Sequence, residues 1–284
     1  MQPLRVPSRI VCGEGSSFSW DVHAFGSVSS SNDLVKEALR AEAPEGYCVT
    51  ALKQTGGYGR QGRAWSSPVG GLYTSFALRP IQKATQLPTL SLVMSLALHA
   101  AFTRMGAGEA LAVKWPNDLL WGKAKLSGIS LEAIAGGICV GVGINVLEPA
   151  EATGAVRSAE SGKYEFAYLS HIAKDRCNAF DPSCASSLSE GQRCFMEELL
   201  VVFLEEVGRW YSRWNKGGFA SCRQAYEDVL CNKGAAVAME TVDGKELLQG
   251  MVEGVDDQGR LVLKRKDGTL VAASSGEVHV ISLP

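Results

Sequence analysis

The chain has 284 residues, of which 46% are hydrophobic and 20% charged, the balance of an ordinary globular protein with a sizeable core. Its formal net charge of −2 argues against broad binding to nucleic acid, because such binding needs clustered positive charge. The eight cysteines include no C-x-x-C pair, so we expect reduced thiols in a cytoplasmic protein and neither a zinc site nor a disulfide framework.

The N-terminal half gives no indication of secretion or of a membrane span. Residues 1–15 lack the apolar core of a signal peptide. The longest uncharged stretch, 84–103, contains Pro88, His99 and several hydroxyl residues. It therefore predicts a buried helix with a lead-in turn, and we expect no membrane association.

Strands and helices alternate irregularly over the first 146 residues. Serine and asparagine at 29–32 form an N-cap signal for the first helix. The predicted helices are 33–43 and 91–105, and the predicted strands are 47–53, 72–78, 111–115, 119–121, 126–133 and 138–146. A basic turn at 122–125 joins the strands on either side of it. This order predicts an α+β domain, a mixed β-sheet with helices on one side.

The second half contains two polar segments, a long helix and a strand-rich end. Residues 149–161 and 178–190 are polar, and we expect the first to be a mobile lid. Helices are predicted at 164–175 and, as a long amphipathic one, at 193–215. Four β-like runs follow at 235–241, 246–255, 260–266 and 270–281. Turns such as Asp243-Gly244 separate them and predict a small SH3-like β-barrel, so we divide the chain into domains 1–231 and 232–284.

The first segment with chemical potential is the glycine-rich stretch from Gln54 to Trp65. Glycines at 56, 57, 59 and 62 allow close approach of a ligand, and Arg60 and Arg63 add fixed positive charge. Together they make a cradle for an anionic ligand. The alternative is a flexible surface loop with incidental arginines.

Two further segments carry charge beside strand ends. Lys114-Trp-Pro-Asn117-Asp118 offers a lysine for negative charge and an aspartate for magnesium bound to phosphates. The alternative is a capped turn whose polar side chains bond to backbone. Lys125, three residues before Gly128, is placed to stabilise charge that develops on a phosphate, unless the stretch is only a solvated basic hairpin.

The fourth segment is the strand Gly141-Val-Gly143-Ile-Asn145. Glycine within a strand often marks the close approach of a ligand or of another backbone. A β-bulge is the alternative and, for this segment alone, the better explanation.

In combination the four segments resemble the biotin–protein ligase family, also called biotin–[carboxylase] ligases. The string Lys-Trp-Pro-Asn-Asp at 114–118 and the pattern Gly-x-Gly-Arg-x-Gly-Arg-x-Trp at 57–65 are highly specific for it. Ser30-Ser31-Asn32 matches its Ser-Thr-Asn turn, and the C-terminal barrel is expected. The resemblance covers the chain from about Ser16 onward.

The resemblance implies a two-step reaction. Biotin attacks the α-phosphate of ATP to give biotinyl-AMP, and a lysine of a biotin carboxyl carrier protein or domain then takes the biotin. The implied catalytic residues are Arg60 and Lys125. The implied biotin-binding residues are Ser30, Ser31, Asn32, Gln54, Tyr58, Gly59, Arg60, Lys125 and Gly128. The implied ATP-binding residues are Gly57, Arg63, Trp65, Lys114, Asn117, Asp118 and Asn145, with Asp118 a candidate ligand of Mg²⁺.

Three differences from the family pattern qualify these expectations. The family usually has arginine where this chain has Tyr58, and aspartate where it has Ser29, which bears on how tightly the intermediate is held. Some members begin with a DNA-binding winged helix, for which residues 1–15 give no room, so we expect no DNA binding. The oligomeric state stays open, with a homodimer as one candidate.

Two alternative functions compete with this interpretation. A lipoate–protein ligase resembles the family in fold and reaction, although Lys-Trp-Pro-Asn-Asp and the C-terminal barrel favour biotin. A biotin-sensing regulator without catalysis is the other. It predicts tight ligand binding without release of AMP when carrier protein is added.

Overall fold

The computed structural model describes residues 1–12, 18–149, 165–173, 176, 181, 183–184, 187–240 and 247–280. Within them, the larger sheet has eight strands in the order β1-β2-β3-β4-β8-β7-β6-β5. These strands are β1 (Arg9–Val11), β2 (Ser19–Phe25), β3 (Tyr47–Ala51), β4 (Gly71–Leu78), β5 (Leu111–Lys114), β6 (Asp118–Trp121), β7 (Ala124–Ile134) and β8 (Gly137–Asn145). Only β2 and β3 pair in parallel, so the predicted mixed sheet is confirmed.

Five α-helices lie within the described residues. They are α1 (Ser31–Arg40), α2 (Leu90–Arg104), α3 (Leu169–Ile172), α4 (Glu190–Gly217) and α5 (Arg223–Asp228). Short 3₁₀ helices occur at Arg60–Gly62, Ala84–Thr89 and Phe219–Ser221. The long helix begins earlier than predicted because its N-cap, Ser189, forms a capping box with Gln192 in the first turn, and Gly218 with φ 65° ends it.

The predicted helix 164–175 is wrong for most of its described length. Only Leu169–Ile172 is helical. Phe166 instead forms a parallel bridge with Lys125, whose backbone N–H donates to Glu165 O at 2.7 Å. This pairing with β7 uses backbone hydrogen-bonding groups of residues 165–167 that would otherwise bond within a longer helix.

Helices cover both faces of the sheet, which differs from the prediction of helices on one side. Leu72 and Phe76 of β4 face the long helices, and the Phe76 ring lies 6.3 Å from that of Phe203 in α4. The intervening Ala77 packs with Val35 of α1 in a second, smaller cluster. Because side chains alternate along a strand, α1 lies on the face opposite α2 and α4.

The apolar helix predicted from residues 84–103 belongs to the core. Among the described residues, Ala84–Arg104 is the helical stretch that is long and apolar enough to cross a membrane. Most of it is buried in the fold, and Val93, Met94 and Phe102 of α2 are completely buried. Its hydrophobicity therefore has an explanation in packing against the sheet and α4.

The C-terminal unit is a five-stranded antiparallel sheet in the order β14-β13-β12-β11-β15. Its strands are β11 (Ala236–Glu240), β12 (Leu247–Val255), β13 (Leu261–Lys264), β14 (Leu270–Ala273) and β15 (Glu277–Val280). The predicted run 270–281 is two strands, because a bend at 274–275 separates β14 from β15. The described strands form no pairing between β14 and β15 that closes a barrel.

Some predictions fall on residues that are not described. Residues 150–161 of the expected lid lie outside the described residues, as do the Asp243-Gly244 turn and part of the predicted loop 178–190. Within that loop, β10 (Ser183–Cys184) pairs in parallel with β9 (Glu148–Pro149). The predicted loop therefore contains a short strand.

The C-terminal sheet is attached to the larger domain by polar contacts. Trp115 is 3% exposed, and its indole N–H donates to Gly259 O at 2.9 Å. The Glu227 carboxylate accepts from the N–H of Val255 at 3.2 Å. The turn that follows β5 is thus bound directly to the second unit.

Replacing Trp115 with phenylalanine tests this attachment. We expect Trp115→Phe to lower the free energy of unfolding by about 1–3 kcal/mol, because the buried Gly259 carbonyl loses its donor. Urea unfolding measures the change. Trp121→Phe is the matched control, since Trp121 is 41% exposed. Equal effects of the two substitutions would show that the bond to Gly259 contributes little.

Candidate functional site

A floor of glycines lies on the α1 face of the sheet. Gly128 of β7 pairs with Gly143 of β8, and Gly141 of β8 pairs with Ser130 of β7 and Ser75 of β4. The register is regular on both sides of β8, so the bulge considered for this strand is wrong. The glycines instead permit close approach, which was the other interpretation of this strand.

Two side chains occupy the space above this floor. A Cβ at position 141 would lie 2.1 Å from Asn32 Oδ1, and one at position 143 would lie 2.5 Å from Trp65 Nε1. Trp65 also lies close to Gly128, where a Cβ would meet Cζ3 of the indole at 3.0 Å. Any larger residue at these positions would push Asn32 or Trp65 away from the sheet.

The start of α1 forms a buried polar network with the sheet. Ser31 donates to Gln54 Oε1 from its backbone N–H at 2.8 Å and from its hydroxyl at 3.0 Å. Its hydroxyl also lies 2.7 Å from that of Ser75, which donates to Asn32 Oδ1 at 2.7 Å. Ser30 is the N-cap of α1 and accepts from Asp33 N at 3.4 Å. The structure therefore brings Ser30, Ser31, Asn32 and Gln54 together as predicted.

Sequence reasoning missed three hydroxyls of this network. Ser75 and Ser130 come from β4 and β7, and Ser67 accepts from Gln54 Nε2 at 3.0 Å. All three are at most 7% exposed. The available signal for Ser75 and Ser130 was a serine within a run of strand-forming residues, whereas Ser67 lies outside the strands and the sequence gives no signal for it.

The glycine-rich loop is folded back on itself. Gly59 N donates to Arg63 O at 2.9 Å, and Trp65 N donates to Gly57 O at 2.9 Å. Gln61 has φ 57° and Gly62 has φ 70°, so the tip reverses through left-handed conformations. A Cβ at Gly57 would lie 2.4 Å from Ser67 Oγ, which makes glycine necessary there.

Arg60 links this loop to the turn between β5 and β6. Its Nη1 donates to Asn117 Oδ1 at 2.5 Å. Asn117 Nδ2 donates to Ile129 O at 2.9 Å and to Asp118 Oδ1 at 3.2 Å. The capped-turn alternative is thus correct for the amide of Asn117, while Arg60 is no incidental surface arginine.

Lys125 is the second cation of the cluster. Its Nζ lies 2.8 Å from Asp118 Oδ2, with only 16% and 15% of the two side chains exposed. The same ammonium lies 5.3 Å from the centre of the Trp65 ring. Lys125 belongs to β7 and not to the basic turn predicted at 122–125, and the solvated-hairpin alternative is wrong for it.

The remaining predicted residues lie around this cluster. Asn145 Nδ2 donates to the backbone carbonyl of Lys125 at 3.1 Å and so supports its strand. Arg63 donates to Gln61 Oε1 at 3.3 Å on the exposed side of the loop. Lys114 is the cross-strand neighbour of Asp118 and lines a small cavity with Leu230 and Cys231.

Tyr58 makes a contact that the sequence did not suggest. Its hydroxyl donates to Asp33 Oδ1 at 2.7 Å. Burial raises the pKa of Tyr58 and the bond to Asp33 adds to the rise, against an opposing effect of Lys36. The hydroxyl therefore stays protonated and able to donate at neutral pH.

Comparison with known proteins identifies the family to which this chain belongs. The profile of the Biotin/lipoate A/B protein ligase family matches residues 24–147, and that of the biotin protein ligase C-terminal domain matches residues 234–280. A biotin–[acetyl-CoA-carboxylase] ligase of Paracoccus denitrificans is 31% identical over 229 residues, which cover 78% of this chain and 86% of the relative. The chain belongs to the biotin protein ligase family.

Other members of the biotin protein ligase family extend the match. The bifunctional ligase/repressor BirA of Escherichia coli is 28% identical, over 90% of this chain and 72% of its own length. A biotin protein ligase from Aquifex aeolicus, solved in complex with biotin and ATP, has a TM-score of 0.71 at 24% identity and covers 90% and 97% of the two chains. This likeness shows the shared fold.

Gly141→Ala tests whether the glycine floor is required. We expect a loss of about 1–3 kcal/mol in the free energy of unfolding, because the new methyl would overlap Asn32 and Ser130. Gly108→Ala is the control, since a Cβ there has open space around it. Chemical denaturation of both variants measures the difference. Equal stability of Gly141→Ala and Gly108→Ala would contradict the assigned role.

Proposed function

We propose that this protein joins biotin to ATP to form biotinyl-AMP and transfers biotin to a lysine of a biotin carboxyl carrier protein or domain. One observation carries the proposal: four separate sequence segments meet on one face of the sheet. The segments are those of Ser31, Gln54–Trp65, Asn117–Lys125 and Gly141–Asn145. Together they provide a buried polar network beside a pair of cations.

The polar network is suited to an uncharged heterocycle. We assign the ureido ring of biotin to Ser30, Ser31, Asn32 and Gln54, whose hydroxyl and amide groups both donate and accept. The ligand would exchange hydrogen bonds that these side chains now make with one another, so no buried polar group need be left unpaired. Gly128 lets Trp65 and the Lys125 side chain lie close to the sheet beside this network.

The cations are suited to the reacting groups. We assign Arg60 and Lys125 to the biotin carboxylate and the α-phosphate. The carboxylate oxygen attacks phosphorus, and the bond to pyrophosphate breaks. Fixed positive charge at this point stabilises the negative charge that grows in the transition state. Asp118 holds the Lys125 ammonium in place from 2.8 Å.

The loop and the turn are assigned to the nucleotide and the intermediate. Tyr58 and Gly59 would lie along biotin. Gly57, Arg63 and Trp65 on the loop, and Lys114, Asn117, Asp118 and Asn145 below it, would contact ATP. The carrier lysine then attacks the carbonyl carbon of the adenylate, and AMP leaves with the electron pair of the broken C–O bond. Alignment and exclusion of water account for this step without a covalent enzyme intermediate.

We assign Asp118 as a ligand of Mg²⁺, which would share the carboxylate with its present partners, Lys125 and Asn117. Within the described part of the chain, no group of three or more His, Cys, Asp or Glu side chains is clustered for a metal. Mg²⁺ commonly takes one or two protein carboxylates together with substrate phosphates, so a single aspartate beside ATP is sufficient. When bound, the ion would neutralise phosphate charge.

The remaining assignments concern domains and location. We propose a catalytic domain at 1–231 and a C-terminal unit at 232–284, which the change from mixed to purely antiparallel sheet supports. A cytoplasmic location is supported by the six cysteines whose side chains are described, since each is a free thiol. Burial raises the pKa of Cys12 to about 11 and makes that thiol unreactive.

Mass spectrometry of a carrier domain tests the proposed reaction. After incubation with this protein, biotin and Mg-ATP, the carrier should gain the mass of one biotin. Parallel reactions contain lipoate in place of biotin, or lack carrier. Transfer of lipoate alone would indicate a lipoate ligase. Tight binding of biotin without release of AMP on adding carrier would indicate a non-catalytic sensor.

Lys125→Ala tests the role assigned to Lys125 in adenylate formation. We expect the rate of biotin-dependent pyrophosphate release to fall roughly 100-fold or more, because a preorganised charge at the reacting phosphate is lost. Lys123→Ala is the matched control, since Lys123 is exposed in the adjoining turn. An unchanged rate for a folded Lys125→Ala protein would refute the assignment.

A further inference from the structure

Tyr58 ties the glycine-rich loop to helix α1. Its hydroxyl donates to the Asp33 carboxylate at 2.7 Å, between residues 25 positions apart in the chain. Asp33 lies in the first turn of α1, directly after the buried Ser31 and Asn32. The loop is therefore attached to the helix that begins at the proposed biotin site.

Lys36 organises the residues around this bond. Its Nζ lies 3.2 Å from Asp33 Oδ1, 3.2 Å from Glu132 Oε2 and 4.9 Å from the centre of the Tyr58 ring. Burial lowers the pKa of Lys36, but its bonds to Tyr58, Glu132 and Asp33 outweigh this effect and raise the pKa. Lys36 thus stays charged and holds Asp33 in position, and we call these four residues the α1 latch.

The loop is fastened on two opposite sides. Tyr58 attaches it to α1, and Arg60, two residues later, attaches it to Asn117 beyond the glycine floor. The loop segment from Tyr58 to Ala64 is short, and an antiparallel bridge between these two residues closes its base. Loss of the attachment at Tyr58 would therefore leave the arm that carries Arg60 fastened on one side only, at Asn117.

We propose that Tyr58 is a positioning residue whose hydroxyl, through the α1 latch, holds the loop over the site and retains the adenylate until the carrier lysine arrives. Only the second half of this proposal, the retention of the adenylate, rests on the proposed function. Premature opening would admit water, whose oxygen attacks the adenylate carbonyl. The C–O bond to AMP then breaks, giving free biotin and AMP.

The closed loop is tested first in the ligand-free protein. Trypsin cleaves after Arg60 and Arg63, and cleavage within a structured loop follows the population of its open form. We expect Tyr58→Phe to speed cleavage at these two bonds about three- to tenfold, because one hydrogen bond to a charged group is lost. Cleavage after the exposed Lys123 in the same sample should not change.

Two further variants separate the latch from a general loss of structure. Asp33→Ala should speed cleavage to a similar extent, and the double variant should be no faster than either single one, because both remove the same bond. Tyr226→Phe is the control for losing a tyrosine hydroxyl, since that group is buried and bonds to no described residue. It should leave the cleavage rate unchanged.

The second measurement follows the intermediate. Protein loaded with biotin and Mg-ATP is freed of small molecules, and the appearance of AMP is recorded without carrier. Tyr58→Phe should release AMP about three- to tenfold faster than the parent, measured per mole of adenylate present at the start.

The outcomes are distinguishable. Unchanged cleavage after Arg60 and Arg63 in Tyr58→Phe would overturn the latch, whether or not the protein is active. Faster cleavage at Lys123 to the same degree would also overturn it, because the effect would then be a general loosening. Absence of any pyrophosphate from the parent protein would instead overturn the proposed function, and the protease result would still decide the latch.

Discussion

Helix α1 and the glycine-rich loop can approach the central sheet closely because three residues beneath them are glycines. Gly128, Gly141 and Gly143 lie in neighbouring strands on one face, beneath Trp65 and Asn32. The opposite face of the same strands is filled by Val140, Val142 and other apolar residues that hold the long helices. One sheet thus serves as core on one side and as site on the other, and alternation along the strands keeps the two apart.

This floor explains why the charged groups of the site can lie close together while largely buried. Lys125 and Asp118 project from adjacent strands and form an ion pair below Trp65. A buried pair of this kind is costly unless further groups bond to it, and Asn117 donates to the second oxygen of Asp118. Such a pair is weak evidence for stabilisation of the fold, which agrees with the ligand-binding role proposed for it.

Sequence reasoning was most successful where local chemistry alone determines the outcome. The N-cap signal at 29–32 and the apolar α2 both followed from residue type and spacing. It failed where contacts between residues far apart in the sequence determine the structure. Phe166 pairs with Lys125 instead of continuing a helix, and α1 lies on the opposite face because its Ser31 and Asn32 bond to Ser75. Nothing near Tyr58 in the sequence indicated Asp33 as its partner.

The C-terminal sheet contacts the turn that contains Asn117 and leads into Asp118 of β6. Trp115 is the first residue of that turn, and its indole N–H donates to Gly259 O of the second unit. A Cβ at Gly259 would lie 3.0 Å from Thr89, so the contact also requires a small residue on the C-terminal side. Arg60 bonds to the turn from the other direction. The position of Asp118 relative to Lys125 therefore depends on the larger sheet, the loop and the C-terminal sheet together.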